Sequence, residues 1–270
     1  MVSDTQILAV HGLRIESVGG EVLVDGVDLQ LADGDRLGLL GMSGSGKSLT
    51  ALALIDLLPP GVRRVAGSIK LGGQEVTGFD DAAWCQFRGR RIGFIFQDPS
   101  TAFNPVLRIG LQVGEALEVH RPEFDPAARR QRVLELLTEV GLQDPAAAVM
   151  AYPFQLSGGM LQRAMIAAAI AGDPDLLIAD EPTTALDLSI QATILELVNS
   201  LCRQRQMSLL WISHDLAVVA QVCNQVAVMH QGRIVERGPL RELFANPQDS
   251  CTQELLAAVP QMRKNVSSKE

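Results

Sequence analysis

The octet Gly41-Met42-Ser43-Gly44-Ser45-Gly46-Lys47-Ser48 constrains this chain more than any other stretch. It has the form G-x-x-x-x-G-K-[ST], and it follows directly on the apolar run 36–40. A buried strand that ends in such a loop and passes into a helix wraps backbone N–H groups around phosphate oxygens. Glycines are needed where a Cβ would block that approach. Gly41, Gly44 and Gly46 hold those positions, and Ser43, Ser45 and Leu49 belong to the same nucleotide-binding set. Lys47 is placed to neutralise the β- and γ-phosphates, and Ser48 to ligate Mg²⁺. The loop by itself specifies a nucleoside triphosphate and nothing of its use.

A second segment narrows the use. Leu156-Ser157-Gly158-Gly159-Met160 is a small-residue turn opening a helix, where unpaired N–H groups and the helix dipole both favour an anion. Ser157, Gly158 and Gly159 therefore form a second phosphate site, which one ATP does not easily fill together with the first. The economical arrangement is two chains sandwiching two ATPs. Downstream, the apolar run 176–179 delivers Asp180 and Glu181 at its end. Asp180 suits the Mg²⁺ shell through water, and Glu181 suits a general base that polarises the attacking water. Gln97 follows the run 92–96, and His214 follows the run ending at Ser213. Both stand where ligands bind in open α/β sheets, at the carboxyl ends of strands. Gln97 suits Mg²⁺ or the attacking water, and His214 suits a hydrogen bond to the γ-phosphate. Taken singly, either is a common loop residue, and an acidic strand end is ordinary; their meaning comes from sharing one sheet edge.

The runs 36–40, 92–96, 176–179, 209–213 and 226–229 lack polar alternation, as parallel strands covered on both faces do. Interleaved with helices, they predict a doubly wound α/β core. The first forty residues read instead as short strands with tight turns: 7–10, then 21–31, separated by Gly19-Gly20 and followed by Asp33-Gly34. The helix after the phosphate loop is expected over about 47–58, stopped by Pro59-Pro60-Gly61. Between 97 and 152 the pattern turns helical: Asp125-Pro126 marks a helix start, Val133, Leu136, Leu137 and Val140 its apolar stripe, and Gly141 its end. A further amphipathic helix is expected over about 189–203, with Ile190, Ile194, Leu197, Val198 and Leu201 on one face. These stripes are core packing. The net charge of −8 argues against nucleic acid, and no apolar run reaches the roughly 18–20 residues of a membrane span. No basic run with an apolar core opens the chain, so no secretory signal is expected. Cys85, Cys202, Cys223 and Cys251 lie far apart, which favours reduced thiols. His11, His120 and His230 show no ligand spacing.

With these residues in view, the chain resembles the ATP-binding subunits of ABC transporters over nearly its whole length. The matching elements are 41–48 (Walker A), Gln97 (Q-loop), 156–160 (signature), 176–181 (Walker B), Ala185-Leu186-Asp187 (D-loop) and His214 (switch histidine). The resemblance implies an α/β P-loop (RecA-like) core with an antiparallel β subdomain and an inserted α-helical subdomain. The corresponding segments are 1–97 for the first part of the core, 98–155 for the helical subdomain, 156–260 for the rest of the core and 261–270 as a disordered tail. It also implies a head-to-tail dimer, in which Lys47 and Ser48 of one subunit and Ser157, Gly158 and Gly159 of the other hold ATP and Asp187 passes across the interface. The expected cofactors are ATP and Mg²⁺, the latter on Ser48, Gln97 and Asp180. The expected partners are transmembrane permease subunits and a second ATP-binding subunit, a copy or a related chain, with an extracytoplasmic solute-binding protein acting indirectly. Membrane contact would run through the permease only, on the cytoplasmic face of the bacterial inner membrane.

The segments Gln97-Asp98-Pro99-Ser100-Thr101-Ala102-Phe103-Asn104-Pro105, Tyr152-Pro153-Phe154-Gln155, the latter leading through the signature to Arg163, and Gly46-Lys47-Ser48-Leu49-Thr50 resemble the nickel and di-/oligopeptide importers. The wording Met160-Leu161-Gln162-Arg163, and an end ten residues after Pro260, is most similar to the nickel members. Nickel or a chelated metal is therefore the expected cargo, short peptides the alternative, and a non-transport ABC ATPase a more distant one. Two departures stand out. Met160 replaces the glutamine usual in the wider family, and no Tyr, Phe or Trp occurs in the first 78 residues, so the aromatic that normally stacks on adenine near Val18 is missing.

Overall fold

A computed structural model describes residues 6–184 and 186–257. In chain order the elements are β1 (Gln6–Ser17), β2 (Val22–Ala32), β3 (Arg36–Leu40), α1 (Lys47–Ala53), β4 (Val62–Leu71), β5 (Gln74–Glu75), α2 (Asp81–Phe87), β6 (Ile92–Ile95), α3 (Pro99–Ala102), α4 (Ile109–His120), α5 (Pro126–Glu139) and α6 (Pro145–Met150). A 3-10 turn (Pro153–Gln155) leads to α7 (Gly158–Ile170), β7 (Leu176–Asp180), α8 (Leu188–Arg205), β8 (Ser208–Ser213), α9 (Leu216–Val222), β9 (Gln225–His230), β10 (Arg233–Pro239), α10 (Leu240–Ala245) and α11 (Ser250–Ala257). The chain forms two compact units, the first from the described parts of Met1–Phe79 and Ser208–Glu270, the second from Asp80–Met207.

The first unit holds an antiparallel sheet in the order β2-β1-β4-β5. Its inward face is Leu8, Val10, Leu13 and Ile15 of β1 with Val24, Val27, Leu29 and Leu31 of β2, all at most 2% exposed. The inward set of β1 changes from even to odd numbers because the register shifts between Val10 and Leu13 against β2, and between His11 and Arg14 against β4. Gly12 sits at this bulge with φ +59°, and Gly26 on β2 takes φ +68°. The bulge explains why the alternation seen in the sequence stopped at Val10 while the strand continues to Ser17. In the same unit β3 pairs in parallel with β8 and with β9, and β10 returns antiparallel to β9 through the turn Gln231-Gly232. Leu39, Leu40, Leu209, Leu210, Trp211, Ile212 and Val226–Met229 are all at most 1% exposed, the two-sided burial that the unalternated runs predict. α9 lies so close on β3 that a Cβ on Gly38 would fall 2.3 Å from Val219 Cγ1.

The second unit carries the parallel pair β6–β7 and the helices α2 to α8. Three of its helices open on Asp-Pro: the carboxylates of Asp98, Asp125 and Asp144 accept from the amides of Ser100, Ala128 and Ala147 at 2.8, 2.8 and 2.9 Å. Each proline occupies a first-turn position whose N–H has no helical partner. α5 ends at Gly141, as expected, with φ +78°. α1 does not reach residue 58. Asp56 turns left-handed at φ 54° and Leu57 N returns to Leu52 O at 2.9 Å, so a helix-terminating turn acts before the prolines do. α8 runs Leu188–Arg205 and ends the same way at Gln206, φ 54°. Its buried face is Ile194, Leu195, Val198, Leu201 and Cys202; Ile190 and Leu197 stay half-buried at its border. No disulfide joins the four cysteines. The tail 261–270 lies outside the described residues, among which no helix is long and apolar enough to cross a membrane.

Gly67 of β4 lies against the bulge of β1 with φ +98°, and a Cβ there would fall 2.6 Å from Leu13 Cα and 2.7 Å from Gly12 O. Gly67→Ala is predicted to lower unfolding stability by about 2 kcal/mol, since strained φ and backbone overlap act together. Gly78→Ala, where a Cβ meets nothing within 4 Å, serves as the reference and should leave the urea midpoint unchanged.

Candidate functional site

In the first unit, β3 delivers the phosphate loop. Its parallel register with β8 pairs Leu40 with Ser213, and with β9 pairs Leu40 with Val228. Gly41 and His214 therefore follow the ends of β3 and β8 at one level, beside Met229, which is still within β9 and paired with Ile234 of β10. Gly41 packs so tightly that a Cβ would stand 2.2 Å from Met229 O and 2.6 Å from Ser45 Oγ. Gly44 and Gly46 take φ +78° and +99°, the left-handed region in which L side chains are strained. The loop closes through Ser45 N to Met42 O at 3.2 Å. The Lys47 ammonium, 4% exposed, donates to the carbonyls of Gly41 and Met42 at 2.9 Å each. Buried Thr50 donates its hydroxyl to Gly46 O at 2.9 Å and touches Met229 S at 3.8 Å. Ser48 and Leu49 lie in the first turn of α1, half-buried; Ser43 is exposed on the loop. His214 is exposed between two fixed neighbours: Ser213 Oγ accepts from Asp215 N at 2.9 Å, and the Asp215 carboxylate caps α9 through Ala217 N at 2.8 Å.

In the second unit the parallel register pairs Ile95 with Ala179, which sets Gln97 and Glu181 side by side two residues beyond. Gln97 Nε2 stands 3.5 Å from Glu181 Oε2, at the outer limit of a hydrogen bond, and Thr184 Oγ1 donates to the same oxygen at 2.9 Å. Glu181 holds φ +44°, an unusual conformation for a residue with a side chain and one concentrated at functional sites. Asp180, one residue earlier, is 6% exposed. Asp98 follows Gln97, and its carboxyl is held below the usual range by the hydroxyl and amide of Ser100.

The same unit presents Ser157, exposed, as the N-cap of α7, its hydroxyl accepting from Met160 N at 3.4 Å. Gly158 is exposed, and Gly159 lies against α8, where a Cβ would stand 3.2 Å from Ile190 Cγ2. Asp187, exposed, stands at the N-cap position of α8 with no capping hydrogen bond from its side chain, so the signature turn and Asp187 begin neighbouring helices. Ala185 lies outside the described residues.

The ABC transporter family profile matches residues 24–184, from β2 through the loop after Glu181. The chain belongs to the ABC transporter family. It is 46% identical to the oligopeptide transport ATP-binding protein OppD of Lactococcus lactis subsp. cremoris, over 87% of this chain and 69% of that protein. It is 44% identical to the dipeptide transport ATP-binding protein DppD of Bacillus subtilis, over 96% of this chain and 78% of that one. Among solved structures, the ATP-binding cassette MJ0796, a dimer in a post-hydrolysis state bound to ADP and phosphate, aligns with TM-score 0.77 and 26% identity, covering 87% of this chain and 99% of that one. The fold is that of an ABC ATPase, and the chain is an ATPase coupled to transport. The close relatives carry peptide names, so the expectation of nickel specifically is not what they support.

Two neighbours of this ABC ATPase's site, Thr184 and Met229, were not singled out from sequence. Thr184 follows Walker B by three residues, a spacing with no general signature. Thr50 entered only through the resemblance of 46–50, with no contact of its own expected. Met229 reads only as the end of an apolar run. The missing aromatic is also visible in place: Val18, in the turn between β1 and β2, is 74% exposed.

Gly41→Ala is predicted to weaken ATP binding at least about tenfold, near 1.4 kcal/mol, because the loop must move off Met229 to admit the methyl group. Calorimetric titration with ATP measures it. An unchanged affinity would show that this close approach does not position the loop.

Proposed function

We propose that this chain is the ATP-hydrolysing subunit of a bacterial importer for di- or oligopeptides. The observation that carries the cargo is the 44–46% identity to oligopeptide and dipeptide transport ATP-binding proteins over most of the chain. Nickel is the second reading, favoured by the wording Met160-Leu161-Gln162-Arg163.

In this reading the backbone from Gly41 to Leu49, with Ser43, Gly44, Ser45 and Gly46 between, cradles the phosphates, and the Lys47 ammonium exchanges its two carbonyl partners for the β- and γ-phosphate oxygens. Glu181 is the general base. A carboxylate oxygen already receiving donors from Thr184 and Gln97 is fixed in direction, as proton abstraction from a positioned water requires. His214 hydrogen-bonds the γ-phosphate. Ser48, Gln97 and Asp180 offer hydroxyl, amide and carboxylate oxygens, the hard-donor set Mg²⁺ takes, and the bound ion would offset charge at the β- and γ-phosphates.

Ser157, Gly158 and Gly159 face the ATP of a second ATP-binding subunit, a copy or a related chain, with Asp187 crossing the interface between them. Closing and opening of that dimer drives transmembrane permease subunits, served from outside by an extracytoplasmic solute-binding protein. The chain then sits on the cytoplasmic face of the inner membrane. The permease contact falls in the helical segment 98–155 and the loop after Gln97. The solvent exposure of Val106, Leu111 and Phe154, at 74, 62 and 75%, supports that surface.

Glu181→Gln is expected to keep ATP affinity while hydrolysis falls at least about a hundredfold, the usual contribution of a positioned base. In cells carrying that variant, uptake of a labelled dipeptide should disappear and uptake of labelled nickel persist. Loss of nickel uptake alone moves the cargo to the second reading, and hydrolysis at the wild-type rate removes Glu181 from the role of base. A Val18→Tyr replacement should lower the KM for ATP about tenfold, the scale of one base–aromatic stack.

A further inference from the structure

The turn between β9 and β10 touches the phosphate loop from behind. Gln231 and Gly232 take φ 45° and 79°, the two left-handed residues of a tight hairpin whose flanking pair is His230 and Arg233. Gly232 N donates to Ser45 O at 3.0 Å, and Gly232 O accepts from Asp25 N of β2 at 2.8 Å. The turn is thus a strut between β2 and the loop. An ion-pair pattern holds it in place: the Asp25 carboxylate receives Arg14 at 2.7 Å on one oxygen and the guanidinium of Arg233, next to Gly232, on the other.

A trans peptide points its C=O and N–H in opposite directions. Fixing the Ser45 carbonyl toward Gly232 therefore aims the Gly46 N–H away from the turn, to the opposite side of the loop. The next peptide is fixed as well, since Gly46 O accepts from Thr50 N and from Thr50 Oγ1, both at 2.9 Å. That aims the Lys47 N–H out of the start of α1. Two successive amides of the phosphate loop thus take their direction from Gly232 and Thr50, groups outside the loop. No side chain is tolerated at Gly232, because a Cβ there would stand 2.8 Å from Leu23 O.

We propose that Gly232 is a positioning residue for ATP: its N–H sets the Ser45–Gly46 peptide so that the loop meets phosphate without reorganising. This rests on the reading of 41–48 as the ATP-binding loop. The role belongs to binding, so it predicts a split between binding and turnover. Gly232→Ala should raise the Kd for a fluorescent ATP analogue and the KM for ATP about tenfold, with kcat at saturating ATP within about twofold. Gly238→Ala on the same hairpin, where a Cβ meets nothing within 4 Å, should change neither. Asp25→Asn, which weakens the hold on the turn without altering its backbone, should raise Kd about threefold and serves if Gly232→Ala fails to fold. A Gly232→Ala protein with a lower melting temperature but unchanged Kd, or with kcat falling as much as KM rises, overturns the proposal. So does an unchanged Kd in Asp25→Asn when Gly232→Ala does not fold. Failure of the wild-type chain to bind the analogue at all would instead strike the reading of the loop.

Discussion

The common register of three parallel strands is the constraint on which the placement of the glycine loop depends. Leu40 is paired with both Ser213 and Val228, so the phosphate loop and His214 leave the sheet at one level, beside Met229 of β9. Buried apolar strands hold that register because sliding any of them would open voids in a core whose side chains are almost wholly inaccessible. The loop then inherits its shape from backbone it lies against. Gly41 has room only for a hydrogen atom above Met229 O, and Gly46 is closed in by Met229, Leu23 and Val24.

The second unit repeats the logic with two strands. Ile95 opposite Ala179 sets Gln97 beside Glu181, and the left-handed backbone of Glu181 turns its carboxylate toward Gln97 and Thr184. The signature turn is placed differently, by a helix start rather than a strand end. Ser157 caps α7, and Gly159 allows α7 to approach Ile190 of α8. A sheet edge thus presents the groups suited to water and metal, and a helix N-terminus presents the groups suited to a phosphate.

Helix ends show where sequence signals were enough and where they were not. Asp125-Pro126 and Gly141 bracket α5 as expected, because a capping carboxylate, a proline free of N–H demand and a left-handed glycine each act locally. Asp98-Pro99 and Asp144-Pro145 carry the same signal and open α3 and α6. α1 and α8 stop instead at Asp56 and Gln206, residues with side chains held at φ 54°. Nothing in their chemistry announces that choice. β1 misled for a related reason: the bulge at Gly12 breaks the period of two on which strand recognition relies.

The sequence by itself determined the chemistry: a glycine loop with Lys47 and Ser48, an acidic strand end at Asp180-Glu181, a Ser-Gly-Gly helix start, and apolar runs that only a parallel sheet buries. These are statements about residue types at short spacing, and short-range backbone preferences suffice to read them. Tertiary structure alone decided which distant residues lie against the loop. Met229 and Gly232 lie some 180 residues beyond the phosphate loop, yet one limits Gly41 and the other holds Ser45. Their function is a matter of backbone distance and direction, quantities set by sheet register and packing rather than by side-chain identity.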